Sequence, residues 1–511
     1  MSDHGNGATV GTCCIVLNTH LPWLAHHGSW PVGEEWLYQA WSSSYLPVFG
    51  LLERLAAQGR RDLLTIGVTP VLAAQLDDPH CLLAMHTWLG FWQLRAEELG
   101  SAGDRAARAL GSWEFRAASA ALELFETRWR HGAAPVLRAL ADAGTVELIG
   151  GPATHAFQPL LDDRVAAFAL RTGLDDAEVR LGRRPEGIWA PECGYRPGLE
   201  ELYAQAGVRR FLVDGPTLLG AGRSVADAWT VGGTDVVAFG RDLDLTYRVW
   251  SPRRGYPGGA WYRDFHTVDQ RSGFRPVRVT STRTEPQGKA PYDPLRAAAA
   301  VHRDATDFVQ VVRDRLVDLA RARGRPAVVT VAYDTELFGH WWHEGPAFLE
   351  AVLRGLPAAG VRLATLSGAV DGGAVAGSVQ PGPGSWGSGK DWRVWDGEQV
   401  SDLVHANALA QKRLLDVVGT GWHPARRPDL DQLARNALLA LASDWAFMIT
   451  KDSAAEYARD RAAAHHAAFG ALARAVESGR DATAQAARQR ATDGPFGHLD
   501  ARLLGAVATA S

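Results

Sequence analysis

A chain of 511 residues with 46% hydrophobic and 22% charged side chains is globular rather than disordered, and long enough for a large catalytic unit with appended parts. Its net charge of −4 does not indicate a phosphate-tracking surface, and no nucleic-acid partner is expected. The four cysteines (Cys13, Cys14, Cys81, Cys193) make no C-x-x-C pair, and no run approaches the ~20 apolar residues of a membrane helix, so a cytoplasmic chain without a membrane partner is expected.

In chain order, apolar runs end in polar clusters seven times: "CCIVLNTHLP" (13–22), "LLTIGVTPVL" (63–72), "VELIGGPATH" (146–155), "PEGIWAPECGY" (185–195), "RRFLVDGP" (209–216), "VVAFGRD" (236–242) and "AVVTVAYDTELFGH" (327–340). Helical patterns lie between several of them, such as "PGLEELYAQAG" (197–207), with Pro197 near its start and Gly207 at its end. Continuous apolar strands alternating with helices predict a parallel sheet covered on both faces. Seven such units predict an α/β fold, a (β/α)7 barrel with one unit fewer than the common eight; a doubly wound sheet is disfavoured because no G-x-G-x-x-G follows any strand. Residues 1–79 and 144–380 are assigned to the barrel. Residues 80–143 read as a helical insertion, and the Gly- and Pro-rich run 371–389 as a linker. Residues 381–511 read as a C-terminal all-helical domain completing the cleft.

Four strand ends carry side chains suited to chemistry: "NTHLPW" with His20 and Trp23, "GGPATHAFQPLL" with His155, "WAPECGY" with Glu192, and "AYDTELFGHWWHEG" with Asp334. Polar residues at strand ends are ordinarily caps or loop residues, but on one side of a barrel they converge on its mouth. Glu192 lies beside Trp189 and Tyr195, and Asp334 mirrors it on a later strand. Paired carboxyls among aromatic rings suit glycosidic chemistry, one as nucleophile and the other as acid and base, with a raised pKa on the proton donor. Glu336 is the rival acid and is expected to face away from Asp334. The nineteen tryptophans, several in loop-like contexts, suggest flat rings offered to sugars, against the plainer reading that indoles fill a core. A zinc site is disfavoured, because Ala347 stands where His-Glu-x-x-His needs its second histidine; no metal and no cofactor are expected.

Taken in order, "THLPW", "ATHAFQPLL", "IWAPECGY" and "AYDTELFGHWWHEG" resemble the sequence regions of glycoside hydrolase family 57, with further similarity in "GYPGGAWYRDF", "WGSGKDWRVW" and "ASDWAFMITKDSAAEYA". Within that family the chain is most similar to the α-1,4-glucan branching enzymes. The resemblance implies a (β/α)7 barrel with a helical insertion and a helical C-terminal domain, Glu192 as nucleophile and Asp334 as acid/base. It implies His20 and His155 beside the cleaved bond, Trp36, Trp261, Trp386 and Trp395 along the glucan groove, and Arg253, Gly273 and Asp444 as sugar contacts. Asn18 and Ser453 depart from the family's frequent histidine and glutamine, and residues 204–246 lack the tyrosine that branching enzymes usually carry on a loop over the cleft, with Trp229 a conceivable substitute.

The expected function is therefore retaining transfer of an α-1,4-glucan segment to a 6-hydroxyl, with an amylose- or glycogen-like polymer as partner. Mainly hydrolytic or 1,4-transferring activity, a non-catalytic glucan-binding protein and a metal-dependent deacetylase are the alternatives.

Overall fold

The computed structural model describes residues 9–29, 32–102, 104–251, 255–281, 283–419 and 425–505. Its strands are β1 (Gly11–Thr19), β2 (Leu64–Val68), β3 (Val146–Ile149), β4 (Gly187–Ile188), β5 (Arg210–Val213), β6 (Ala228–Val231), β7 (Val237–Gly240), β8 (Val328–Asp334), β9 (Val361–Leu363) and β10 (Val375–Val379). Parallel pairing joins β3, β2, β1 and β8 in one arc and β4, β5 and β7 in another. Parallel bridges from Gly150 to Ile188 and from Arg241 to Thr330 join the arcs at both ends. The closed ring is β1-β2-β3-β4-β5-β7-β8, the seven-stranded barrel that the apolar runs predict.

Alternation along each strand divides its side chains between two compartments. Cys14 and Val16 of β1 cluster with Ile149, Trp189, Leu212, Phe239 and Ala332, drawn from around the ring, and so fill the barrel's interior. Cys13, Ile15 and Leu17 pack instead with Leu64, Ile66, Val329, Val331 and the surrounding helices. Burial on both faces is why these strands read as unbroken apolar runs.

β6 pairs antiparallel with β7, and β10 pairs with β6. The linker expected at 371–389 is corrected here: it contains β10, and Gly384 bridges Tyr195 beside the barrel mouth. Glycine content alone misleads, because a glycine-rich backbone still completes its hydrogen bonds on an open strand edge. The register slips between Val375 and Ser378, where Gly377 takes φ 144°.

After β2, helices Pro79–Ala102 and Arg105–Leu124 fold back on each other. They approach so closely that a methyl group on Gly111 would stand 2.4 Å from the backbone nitrogen of Gly100. After β10, helices Ser401–Val418, Pro428–Ala440, Ser443–Thr450, Ala455–Glu477 and Thr483–Thr492 pack together. They are fastened to the loop after β3: Thr154 Oγ1 donates to the Leu438 carbonyl (2.6 Å), and the Ser443 amide to the His155 carbonyl (3.1 Å). Among the described residues no helix is long and apolar enough to cross a membrane.

Candidate active site

The barrel's register brings the first carboxyl into place. β1 and β8 pair with Asn18 opposite Asp334, at the C-terminal ends of both strands. Asn18 is buried, and its Nδ2 donates to Asp334 Oδ1 at 3.1 Å. One residue on, the hydroxyls of Thr19 and Thr335 meet at 2.7 Å, locking the two strand ends together.

Glu192 follows β4 in a tight turn, with φ 63° at Glu192 and 50° at Cys193. A left-handed conformation at a residue bearing a Cβ costs about 1–2 kcal/mol and persists only where its surroundings impose it. Here the Trp386 amide donates to the Glu192 carbonyl (2.8 Å), and the Cys193 amide to that of Ala190 (2.9 Å). Both carboxyl oxygens receive donors as well: Trp386 Nε1 at 2.7 Å from Oε2 and Ser443 Oγ at 2.9 Å from Oε1. Burial pushes the Glu192 pKa up to about 7, the charges of Asp444 and Asp334 adding to the rise and the two hydrogen bonds opposing it. Burial likewise raises Asp334 to about 6, against the Asn18 hydrogen bond and the positive charge of Arg241.

The imidazoles of His20 and His155 stack 3.8 Å apart beside these acids. Between Thr69 Oγ1 at Nδ1 (2.9 Å) and Asp444 at Nε2 (2.9 Å), His20 is held at both ring nitrogens. Burial alone would lower its pKa, but Asp444, with Glu192 and Glu336 behind it, lifts it above the usual value. His155 is held neutral by burial and by the charge of His20. Its Nδ1 meets Ser443 Oγ at 2.9 Å, while Nε2 is buried with no partner and is free to bond a ligand hydroxyl. His20, His155 and Asp444 bring potential donor atoms within 4.8 Å of one another. Stacked rings send their in-plane lone pairs side by side rather than toward one point, so this trio fits a metal ion poorly.

Glu336 corrects an expectation. Residues two apart on an extended strand share a face, and here the chain turns at Thr335–Leu337 and brings the Glu336 carboxyl into the site. Its Oε1 accepts from the Tyr45 hydroxyl (2.6 Å) and the His20 amide (3.1 Å). Burial and the neighbouring Asp334 raise its pKa to about 8.

Of the other residues singled out, Trp386 is half-buried, packed edge-on to Trp189 at 5.0 Å, and Asp444 closes the far side through His20. Trp36 is half-buried against the C-terminal helices. Trp261 has the guanidinium groups of Arg278 and Arg296 at 4.2 and 4.7 Å from its ring. Trp395 is 2% exposed and stacks on Phe157 at 4.6 Å, a wall behind the groove rather than a ring open to ligand. Gly273 is exposed and lines a separate cavity, and Arg253 lies outside the described residues.

Ser443 and Arg241 escaped the sequence reading. Ser443 adjoins Asp444 in "ASDW"; Arg241 ends the run "VVAFGRD", a polar strand end like the others. Arg241 is buried, bonds the fully buried Asp214 (2.8 Å) and lies 5.2 Å from the Trp386 ring. Lys390 Nζ also reaches Asp214 (2.8 Å) and donates to the Trp386 carbonyl (3.0 Å), so two cations brace the indole that holds Glu192. No tyrosine occurs in 204–246, but the next residue, Tyr247, is exposed, its ring 5.5 Å from Lys390 Nζ and 5.9 Å from the Arg241 guanidinium.

The sequence profile of glycosyl hydrolase family 57 matches residues 14–377. The chain belongs to glycosyl hydrolase family 57. A second profile, described as the C-terminal part of 1,4-alpha-glucan branching enzyme, matches residues 409–504 of this family member. A Mycobacterium tuberculosis protein named "Probable 1,4-alpha-glucan branching enzyme" is 53% identical over 97% of this chain and 98% of its own length. Two solved structures superpose over nearly the whole chain. A family 57 branching enzyme from Thermococcus kodakaraensis has TM-score 0.93 and 30% identity, covering 98% of this chain and 97% of that one. The α-amylase AmyC from Thermotoga maritima has TM-score 0.88 and 25% identity, covering 98% and 100%.

Proposed function

We propose that this family 57 protein is a 1,4-α-glucan branching enzyme that works by retaining double displacement. Glu192 attacks the anomeric carbon of an α-1,4-glucan, and the bond to the departing O4 breaks as Asp334 gives that oxygen its proton. A 6-hydroxyl of another glucan then attacks the same carbon, its proton passes to Asp334, and the ester to Glu192 breaks. The observation that carries this reading is the capping of both Glu192 oxygens by donors, one a Trp386 N–H that cannot accept, which suits an ionised nucleophile. Asp334 receives a single donor, from Asn18, which leaves its other oxygen open to carry the proton the departing oxygen needs.

His20, His155 and Asp444 serve in this reading as hydroxyl-binding groups around the reacting sugar. Trp386, Trp36 and Trp261 supply the groove, Trp395 backs it, and Gly273 and Arg253 are further sugar contacts. No metal or cofactor takes part, because the steps are proton transfers and displacement at one carbon. The 53% identity with a protein named for branching, and the C-terminal profile, support branching over hydrolysis. Four free, buried thiols fit work in the cytoplasm, with glycogen formation as the process served.

Incubation with amylose followed by NMR counting of 1,6-linked anomeric protons tests the reading. New branch points are expected; new reducing ends without them would replace branching by hydrolysis. That second reading draws on the full-length likeness to an α-amylase and on the tyrosine-free stretch 204–246.

A further inference from the structure

A cavity of about 450 Å³ opens between helices Pro79–Ala102 and Arg105–Leu124, the segment 263–275 and the turn 339–347. Neither Glu192, Asp334, His20 nor Trp386 lines it. One turn of chain separates it from the catalytic mouth. In Trp41–Tyr45, Ser42 and Ser43 face the cavity, while Ser44 bonds the Thr335 carbonyl and Tyr45 bonds Glu336.

Its lining differs from a leftover void between packed elements. The indoles of Trp88, Trp92 and Trp341 are half-buried on its walls. Arg95 has its Nε buried with no hydrogen-bond partner, its guanidinium 5.8 Å from the Trp88 ring and 5.7 Å from Phe274. Arg275 lies 4.7 Å over Phe265, and among the described residues neither arginine makes an ion pair. Glu35 holds the Trp88 N–H at 2.9 Å and Gln39 at 3.0 Å, fixing an acid beside an indole. His340 and His343, kept neutral by burial and by the nearby arginines, can each donate and accept.

The charges are nearly balanced. Glu114 is taken by Arg263 and Asp264 by Lys289, which leaves two guanidinium groups against Glu35. A phosphorylated ligand would call for a stronger cationic excess. Flat indoles, forked guanidinium groups, a carboxylate and neutral imidazoles suit the C–H faces and vicinal hydroxyls of an uncharged sugar. The volume falls in the about 300–1,000 Å³ range of small-ligand sites, enough for a short stretch of oligosaccharide.

We propose that this cavity is a second glucan site, which holds part of an α-1,4-glucan outside the catalytic groove; the polymer's identity rests on the function proposed above. Binding there keeps a chain near the mouth and raises its effective concentration at Glu192. The path from cavity to Glu192 then biases which bond of a long chain is cut.

Two variants test it: Arg95→Gln, and Ala120→Trp, which fills the cavity from an exposed position on its wall. With amylose, both should raise KM by roughly five-fold or more at unchanged kcat, and both should weaken retardation in amylose-containing native gels. With maltotetraose, too short to occupy groove and cavity together, kcat/KM should not change. Unchanged KM and retardation with amylose in both variants would overturn the proposal, as would equal losses on both substrates. Glu192→Gln should keep its gel retardation, since that residue is not in the cavity. If the parent made no 1,6 branches yet Ala120→Trp still lost retardation, branching would fail and the second site would stand.

Discussion

The indole N–H of Trp386 stands 2.7 Å from Oε2 of Glu192, across 194 positions of chain. A hydrogen bond to a charged group contributes about 1.5–3 kcal/mol. Trp386→Phe keeps a ring against Trp189 and deletes only the donor, so kcat should fall about 10- to 100-fold with little change in KM for glucan. Losing that donor also raises the Glu192 pKa, so a limb of the rate profile should move to higher pH. A variant with parental kcat and profile would remove Trp386 from the machinery.

Activity should follow a narrow bell against pH, with limbs near the values of about 6 and about 7 held by Asp334 and Glu192. Because the two acids interact, the limbs belong to the pair rather than to either residue. Arg241 favours the ionised form of Asp334. Arg241→Gln should therefore shift a limb upward, since Asp334 would keep its proton to higher pH, and Arg241→Lys should restore the profile. Stopped assays across pH 4–9 read the limbs directly.

Glu192→Gln should stabilise the protein in alkali. The folded pKa of about 7 lies above the ordinary 4.5, so the native state binds the proton more tightly than the unfolded chain. Stability from this group is whole below pH 4.5 and is lost as pH rises through 7. The ionised side chain then costs up to about 3 kcal/mol, which the neutral amide avoids while Ser443 turns its hydroxyl to accept. Thermal melts should show the variant a few degrees above the parent at pH 8 and level with it at pH 4. A difference independent of pH would contradict the raised pKa.

Asp334→Asn and Glu336→Gln separate two neighbouring acids. Loss of a general acid costs about 10²–10⁴ in rate. Asp334→Asn should lose at least that much on amylose, yet still form the glycosyl-enzyme from a maltosyl fluoride, whose leaving group needs no proton. Glu336→Gln should keep most of its activity, because the amide oxygen can still accept from Tyr45 and His20. The reverse ranking would make Glu336 the acid.

Tyr247→Ala should raise the proportion of hydrolysis. The exposed ring stands by Lys390 and Arg241, the two cations that brace the indole holding Glu192. Shielding the mouth from water favours a sugar hydroxyl as acceptor. Reducing ends released per branch formed measure the effect, and an unchanged ratio would place the shield elsewhere.

The barrel was legible because each of its strands is buried on both faces and ends abruptly in polar residues at the mouth. The same signal reached His20, His155, Glu192 and Asp334, but not how they are held. Ser443 and Trp386 meet Glu192 only through tertiary docking, which no local pattern encodes. Strand periodicity puts Glu336 on the face of Asp334, and the turn at Thr335–Leu337 carries its carboxyl into the site. The segment 371–389 looked like a linker because strand formation there depends on the edge offered by β6. Trp395 shows the limit of counting indoles: it is sealed in a core against Phe157.

The docking of the last helices has a consequence for synthesis. A nascent chain that has completed only its barrel holds both acids but lacks Ser443 and Asp444, and until residue 386 emerges it lacks the indole too. On the proposed mechanism, an unfinished molecule still on the ribosome lacks the groups that hold Glu192 and His20. Its site is assembled late and all together, when the final helices dock.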